Sequence, residues 1–453
     1  MPHPEWVLQH KRPNTEIRCI RGRYYLYNRT SVWSPEKKRP KKITGKQIGV
    51  IDEVYGLIPT GMSRRGKIPN GVSKIKEDAP SETNFMDKFE SMEDKRSERN
   101  RLYSVAEILL VTFLGVICGA EGWQDVESYG KAKIEYLRKY FSYKNGIPSD
   151  DTIRRFFRSL DPDHFKAMFH EWAKSLAQTV GATVIAIDGK SSRRSHDTDR
   201  KMLHTVTAFA TDARIVLGQE KVSDKSNEIT AIPLLLEMLD IKGHIITIDA
   251  MGCQYSIANQ ILRKEADYMF SLKGNQESLA RDVELYFNDP VHQNTLKHVE
   301  DYDKGHGRLE TRQCYVCSDV SWLRDMHPNW RSVHSIVKVT AKRETKGKPI
   351  AEDTRYFISS LTNPTPENAL KAIRSHWAIE NSLHWILDMS FNEDYSRIRK
   401  DNAPFAMAII RHFALNLLQQ HKPERQSIKR FRKICSWSDQ ELTALINKHT
   451  SCT

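Results

Sequence analysis

Cysteine is sparse, and the seven thiols at positions 19, 118, 253, 314, 317, 435 and 452 form an odd, scattered set. That argues against a disulfide framework and fits reduced thiols in a cytoplasmic protein. Cys314 and Cys317 have the short spacing of a zinc pair, but no second Cys pair or regular His pair completes it, so both are expected along a strand. No hydrophobic run approaches the roughly 20 residues that cross a bilayer. The longest, Ile108 to Ala120, follows Glu107 and reads as a buried helix. The first residues are polar and charged, so no secretory leader is expected. A phosphate-binding Gly-x4-Gly-Lys-Ser/Thr loop is also missing.

Acidic residues are the other shortfall. There are 57 against 70 Lys and Arg, a net charge of +13. Residues 1–80 hold seventeen basic against seven acidic side chains, so most of the excess lies in one segment. Such a patch suits a polyanion, because counterion release supplies much of nucleic-acid affinity. At 453 residues the chain should form two or three domains.

Between Ile17 and Ile51, aromatic and β-branched residues alternate with basic ones, which predicts a small basic β module over 1–60. Its candidate phosphate contacts are Arg21, Arg23, Lys37, Lys38, Arg39, Lys41 and Lys42. A Gly-, Pro-, Ser- and Lys-rich linker follows over 61–84. Residues 85–180 carry helical periodicity, including a start signal at Ser149 that opens a basic helix with Arg154 and Arg155; this is a helix-turn-helix candidate, while the periodicity alone favours a helical packing domain.

After Gly181 the period changes to strands, and the order strand, strand, strand, helix, strand, helix, strand predicts an α/β fold with a mixed sheet flanked by helices. Residues 295–361 interrupt it as a β-rich insertion, 362–420 return to it, and 421–453 form a basic tail. Two strand-like runs, Val184 to Asp188 and Ile245 to Asp249, each end on an aspartate, at the strand C-termini where such sheets place ligands. Thr365 and Pro366 start a helix expected to run to Asp388. Its core-facing stripe, Leu370, Ile373, Trp377, Glu380, His384 and Leu387, carries a glutamate where a hydrophobe is expected. Three carboxylates at low dielectric call for cations, and paired Mg²⁺ ions for phosphoryl displacement need this kind of hard-oxygen set. Cys253, beside Asp249, reads as a packing residue.

Asp188 in Ile-Asp-Gly-Lys, Asp249 in Ile-Asp-Ala-Met-Gly-Cys-Gln and Glu380 in His-Trp-Ala-Ile-Glu-Asn-Ser-Leu-His-Trp resemble the DDE transposases of bacterial insertion sequences, in the H-repeat-associated branch of Rhs elements. Leu272-Lys273-Gly274-Asn275-Gln276, Gly307-Arg308-Leu309-Glu310-Thr311-Arg312 and Tyr356-Phe357-Ile358-Ser359-Ser360-Leu361 carry the same resemblance, which spans about residues 85–440. It implies a ribonuclease-H-like core in a bacterial, nucleoid-associated protein with no membrane partner. The implied activity is Mg²⁺-dependent cleavage and strand transfer, with Mn²⁺ able to substitute and Asp188, Asp249 and Glu380 as catalytic metal ligands. Double-stranded DNA, at element ends and target, would be the partner of a homodimer, and Lys190, Lys273, Arg308, Arg312, Arg374, His376, Asn381 and His384 are candidate DNA contacts. Relatives that cut through a hairpin often show Tyr-x2-Arg-x3-Glu-x6-Lys, whereas Ile373, His376, Glu380 and Leu387 stand here. That departure leaves open whether cleavage takes the hairpin route or another. Two alternatives stay open: a domesticated DNA-binding protein without catalysis, and a metal-dependent nuclease without strand joining.

Overall fold

The computed structural model describes residues 4–8, 10–11, 15–20, 23–34, 39–52, 56–59, 85–94, 96–97, 101–180, 183–196, 202–223, 226–293, 296–305, 308–345, 347 and 349–447. The chain divides into two compact units, Met1–Ala79 and Pro80–Thr453. In the first, β1 (Thr15–Ile20), β2 (Arg23–Ser34), β3 (Arg39–Asp52) and β4 (Gly56–Pro59) form an antiparallel sheet in chain order. Val7, Ile17, Leu26 and Ile51 make its small core. Arg21, Lys37 and Lys38 lie outside the described residues, and β2 and β3 carry Arg23, Arg39, Lys41 and Lys42.

The second unit opens with helices. Val105–Cys118 is apolar around its whole circumference, and all but its last residue are buried, as expected of a helix with no face to give to water. Ser104 caps it, with Glu107 completing the capping box. Ser149 caps Asp150–Ser159 as its sequence predicts. Trp172, from helix Pro162–Val180, stacks on Phe413 of helix Ala403–His421 with centroids 3.9 Å apart. Phe85, Phe89, Phe113 and Phe169 complete that aromatic cluster and tie the early helices to the later part of the unit.

One nine-stranded sheet runs through this unit. Its strands are β5 (Val184–Ser192), β6 (Leu203–Ala210), β7 (Ile215–Lys221), β8 (Ile245–Ile248), β9 (Asp267–Leu272), β10 (Lys297–Gly305), β11 (Arg308–Cys317), β12 (Ser335–Thr345) and β13 (Ala351–Ser359). Their spatial order is β10-β11-β12-β13-β9-β8-β5-β6-β7. β5, β6 and β7 form an antiparallel meander, whereas β8 runs parallel to both β5 and β9. Strands β10 to β13 continue the same sheet, because β13 pairs antiparallel with β9.

Helices not anticipated from the sequence include Glu277–Asn288, Ser321–Met326 and, in place of the expected basic tail, Ile428–Trp437 and Asp439–Asn447, with Arg432 buried and donating to the carbonyls of Val116 and Ile117. Cys314 and Cys317 do lie on one strand, β11. Three residues apart on a pleat they face opposite sides, and they enter different hydrophobic clusters. No single described helix is long and apolar enough to cross a membrane.

Candidate active site

Parallel pairing of β5 with β8 stops at Ile187 and Ile248, so Asp188 and Asp249 are the next residues on adjacent strands. Neighbouring strands lie about 4.8 Å apart, so the two aspartates leave adjacent backbone positions and line one cavity. Asp249 follows the end of β8 as expected. Asp188 does not end its strand: β5 continues to Ser192 because β6 still pairs with it, Asp188 opposite Thr207. What ends at Asp188 is its pairing with β8, and this opens the sheet there. Backbone N–H groups of Met251 and Gly252 donate to Asp249 Oδ1 at 3.0 and 3.3 Å, and Gly189 N–H donates to Asp188 Oδ1 at 2.9 Å. Gly252 has to be glycine by close approach, since a Cβ there would stand 2.2 Å from Ile248 Cγ2.

The third carboxylate comes from the helix that Thr365 caps and Pro366 opens. It is α-helical over Pro366–Ile379, forms a π turn over Glu380–His384, and resumes as Trp385–Phe391. π turns of this kind concentrate at functional sites. The expected core-facing stripe is interrupted here. Leu370, Ile373 and Leu387 are buried, but the Glu380 side chain is 56% exposed and Trp377 44% exposed. Glu380 therefore opens into a cavity instead of the core.

That cavity, about 310 Å³, is lined by Asp188, Asp249 and Glu380 together with Thr247, Ser271, Lys273, Arg355, Phe357, Ile373, His376 and Trp377. Single ligand atoms of Asp188, Glu380 and His384 lie within 4.8 Å of one another. Among the described residues, no Lys or Arg makes an ion pair with any of the three acids. Burial pushes the Asp188 carboxyl up to about 8, with the charges of Glu380 and Asp249 adding to it. Glu380 is held down to about 2, chiefly by His384. Burial also lowers His376, whose Nδ1 lies 3.1 Å from Thr247 Oγ1. The Cys253 thiol is pushed up to about 12 by burial, consistent with a packing role.

Residues 179–417 match the family model described as a transposase DDE domain, and 86–173 match the DDE_Tnp_1-associated model. The chain belongs to the DDE transposase family. The candidate transposase YncI of Escherichia coli O157:H7 is 40% identical over 354 residues, 77% of this chain and 90% of that protein. The H repeat-associated candidate transposase YhhI of Escherichia coli K12 is 39% identical over 357 residues, 76% of this chain and 93% of the relative. A third K12 protein, the H repeat-associated candidate transposase YbfD, is 42% identical over 240 residues, 51% and 93%.

The candidate DNA contacts of this transposase fall in several places. Lys273 is exposed beside the acids. Arg308, Arg312, Arg374 and Asn381 line a neighbouring cavity of about 550 Å³, which shares Arg355, Phe357, Ile373 and Trp377 with the acidic one. There Arg374 pairs with Asp301 at 2.6 Å and Arg312 with Glu310 at 2.9 Å. Lys190 is only 11% exposed and is surrounded by Asp388 at 2.7 Å, Asp394 at 3.5 Å and Glu393 at 4.0 Å. Arg154 and Arg155 both pair with Asp151, and Arg154 lines a separate cavity with Arg158, Arg397, Arg399 and Lys400.

Arg355 is the main residue that sequence reasoning missed. It stacks over Trp377 at 4.7 Å on the wall common to both cavities. It stood within a recognised strand-like run, but only the pairing of β13 with β9 brings that run to the acids.

Proposed function

We propose that this transposase binds the terminal inverted repeats of an insertion sequence and carries out divalent-metal-dependent strand cleavage and strand transfer. One observation carries the reading: Asp188, Asp249 and Glu380 line a single cavity without a Lys or Arg ion-pair partner among the described residues. Crowded carboxylates of this kind require a cation, and their oxygen donors suit Mg²⁺ or Mn²⁺. The order β9-β8-β5-β6-β7, with only β8 and β9 parallel to β5, supports a ribonuclease-H-like core.

Asp188, Asp249 and Glu380 would hold the metal, which when bound activates the attacking oxygen and neutralises the leaving one. The two aspartates, fixed by sheet pairing and backbone N–H groups, set the position of the reacting phosphate. Lys273 and Arg355 orient its non-bridging oxygens, and the indole of Trp377 limits water at the cavity wall. In the first step a water oxygen bonds to phosphorus as the bond to the 3′ oxygen breaks, leaving a 3′-hydroxyl. In the second that hydroxyl attacks a target phosphodiester and displaces the target's own 3′ oxygen. One phosphodiester replaces another, so no nucleotide energy source is consumed.

Arginines of the neighbouring cavity, with the basic strands of the first unit, would follow the DNA backbone, and two copies would bring two ends together. Lys190, enclosed by three carboxylates, supports the acid-bearing helix in this reading instead of touching DNA. The test is cleavage of a terminal-repeat duplex by the intact protein and by Asp188→Asn, Asp249→Asn and Glu380→Gln, followed by strand transfer from precut ends. Cleavage and joining by the intact protein alone is expected. Unchanged cleavage by the variants would defeat the site, and cleavage without joining would favour a nuclease.

A further inference from the structure

We propose that His384 is a metal ligand, its Nδ1 sharing one divalent cation with Asp188 and Glu380 in a mixed nitrogen and oxygen site that favours Mn²⁺ over Mg²⁺. The proposal rests on the acidic metal site described above and adds a residue that the three-carboxylate pattern leaves out.

Geometry carries the inference. Glu380 and His384 are the first and last residues of the π turn, four apart, and both side chains leave the helix toward Asp188. The His384 side chain is only 8% exposed. Buried polar groups are normally hydrogen-bonded. In this ring Nε2 has no partner, and Nδ1 faces the two acids, 3.5 Å from Glu380 Oε2 and 3.8 Å from Asp188 Oδ2. Two donors bound at roughly 2.1–2.2 Å to one ion lie about 3.0 Å apart when cis and about 4.3 Å when trans. Both measured separations fall inside that interval, as expected of three groups arranged around a common cation.

His376 provides the contrast. It lines the same cavity, but its Nδ1 is taken by Thr247 Oγ1. Buried nitrogens of Gln219, Trp322, Arg411 and His412 also have no partner, but none of those side chains joins the group of ligand atoms around Asp188 and Glu380. Among the described residues, His384 is the buried histidine with a ring nitrogen, Nδ1, at ligand spacing from two carboxylates. Imidazole suits the later, softer first-row ions better than Mg²⁺, which is the source of the expected preference.

Pulsed electron paramagnetic resonance on the full chain loaded with Mn²⁺ reads this directly. The intact protein should show hyperfine coupling from a directly bound ¹⁴N, replaced by the ¹⁵N pattern when the protein is made with [¹⁵N]histidine. The coupling should persist in His376→Gln and vanish in His384→Gln and His384→Asn, with at least about a tenfold loss of Mn²⁺ affinity and a smaller loss for Mg²⁺. Bound Mn²⁺ with no nitrogen coupling in the intact protein would overturn the role of His384 while leaving the acidic site standing. Failure of the intact protein to bind Mn²⁺, or undiminished binding by Asp188→Asn, would overturn both. Because histidine labelling needs no substitution, the overturning result, bound Mn²⁺ without nitrogen coupling, does not depend on the variants folding.

Discussion

Two cavities meet at a wall of Arg355, Phe357, Ile373 and Trp377, and they handle charge in opposite ways. In the larger one, guanidinium groups come with carboxylates already attached: Arg312 with Glu310 and Asp301, Arg343 with Glu310, Arg374 with Asp301 and Asp303. In the smaller one, three carboxylates line the wall, those of Asp188 and Glu380 within 4.8 Å of each other, and no Lys or Arg among the described residues pairs with them. A few residues along the same helix, Asp388 does have a cation, Lys190. The fold therefore supplies counter-charges where charge is structural and omits them, among the described residues, where the proposed metal would sit. Paired arginines hold their side chains in place at little net electrostatic cost, ready to exchange a carboxylate for a phosphate.

The largest effect expected from this contrast is catalytic. Asp188→Asn should cut Mg²⁺-dependent strand cleavage by at least about 10³-fold, measured on a terminal-repeat duplex. A variant that kept its rate would erase the distinction between the two cavities.

Metal binding should then stabilise only the intact site. Divalent ion at a hundred times its dissociation constant adds about 2.7 kcal/mol by mass action, seen in thermal or denaturant melts. Asp188→Asn should gain far less. Without metal, pH enters with a defined sign. Folding raises the Asp188 carboxyl from its ordinary 3.8 to about 8, so the folded chain keeps a proton that the unfolded chain releases between those values. That contribution to stability is full below about pH 4 and is lost as pH rises toward 8. The melting temperature of the metal-free protein should fall relative to that of Asp188→Asn across this window.

In the other cavity, removing a paired arginine should cost stability first. Arg312→Ala leaves the buried Glu310 with Arg343 alone, and a loss of about 1–3 kcal/mol is expected in denaturant melts. The smallest effect is on DNA affinity. Lys273→Ala should weaken binding without changing sequence preference and reduce the salt slope of log K by about 1, measured by titration at several salt concentrations. An unchanged slope would take Lys273 out of the phosphate contacts.

Local signals were the most legible in the sequence. Ser149, Thr365 and Pro366 start their helices where the pattern says, since a cap is a short-range hydrogen bond to the first turn. Asp249 ends β8 for a similarly local reason. Asp188 was misjudged within its strand because β5 is lengthened by β6, a pairing whose register hydropathy does not encode. The π turn at Glu380 was hidden as well, because one inserted residue barely disturbs a hydrophobic stripe. Continuity of β10 to β13 with the main sheet depends on β13 meeting β9 across some eighty intervening residues, and so does the arrival of Arg355 at the acids. Lys190 was a candidate DNA contact in the sequence. Its partners, Asp388, Glu393 and Asp394, are about two hundred residues away.

Cleavage of a terminal-repeat duplex by the intact chain, with Mg²⁺ and then with Mg²⁺ chelated, set beside Asp188→Asn, Asp249→Asn and Glu380→Gln variants of native-like melting temperature, is the decisive measurement. Strand cleavage only by the intact chain and only with the ion present is the predicted result. Cleavage that persists in any of the three folded variants, or without divalent metal, would contradict the assignment of these carboxylates.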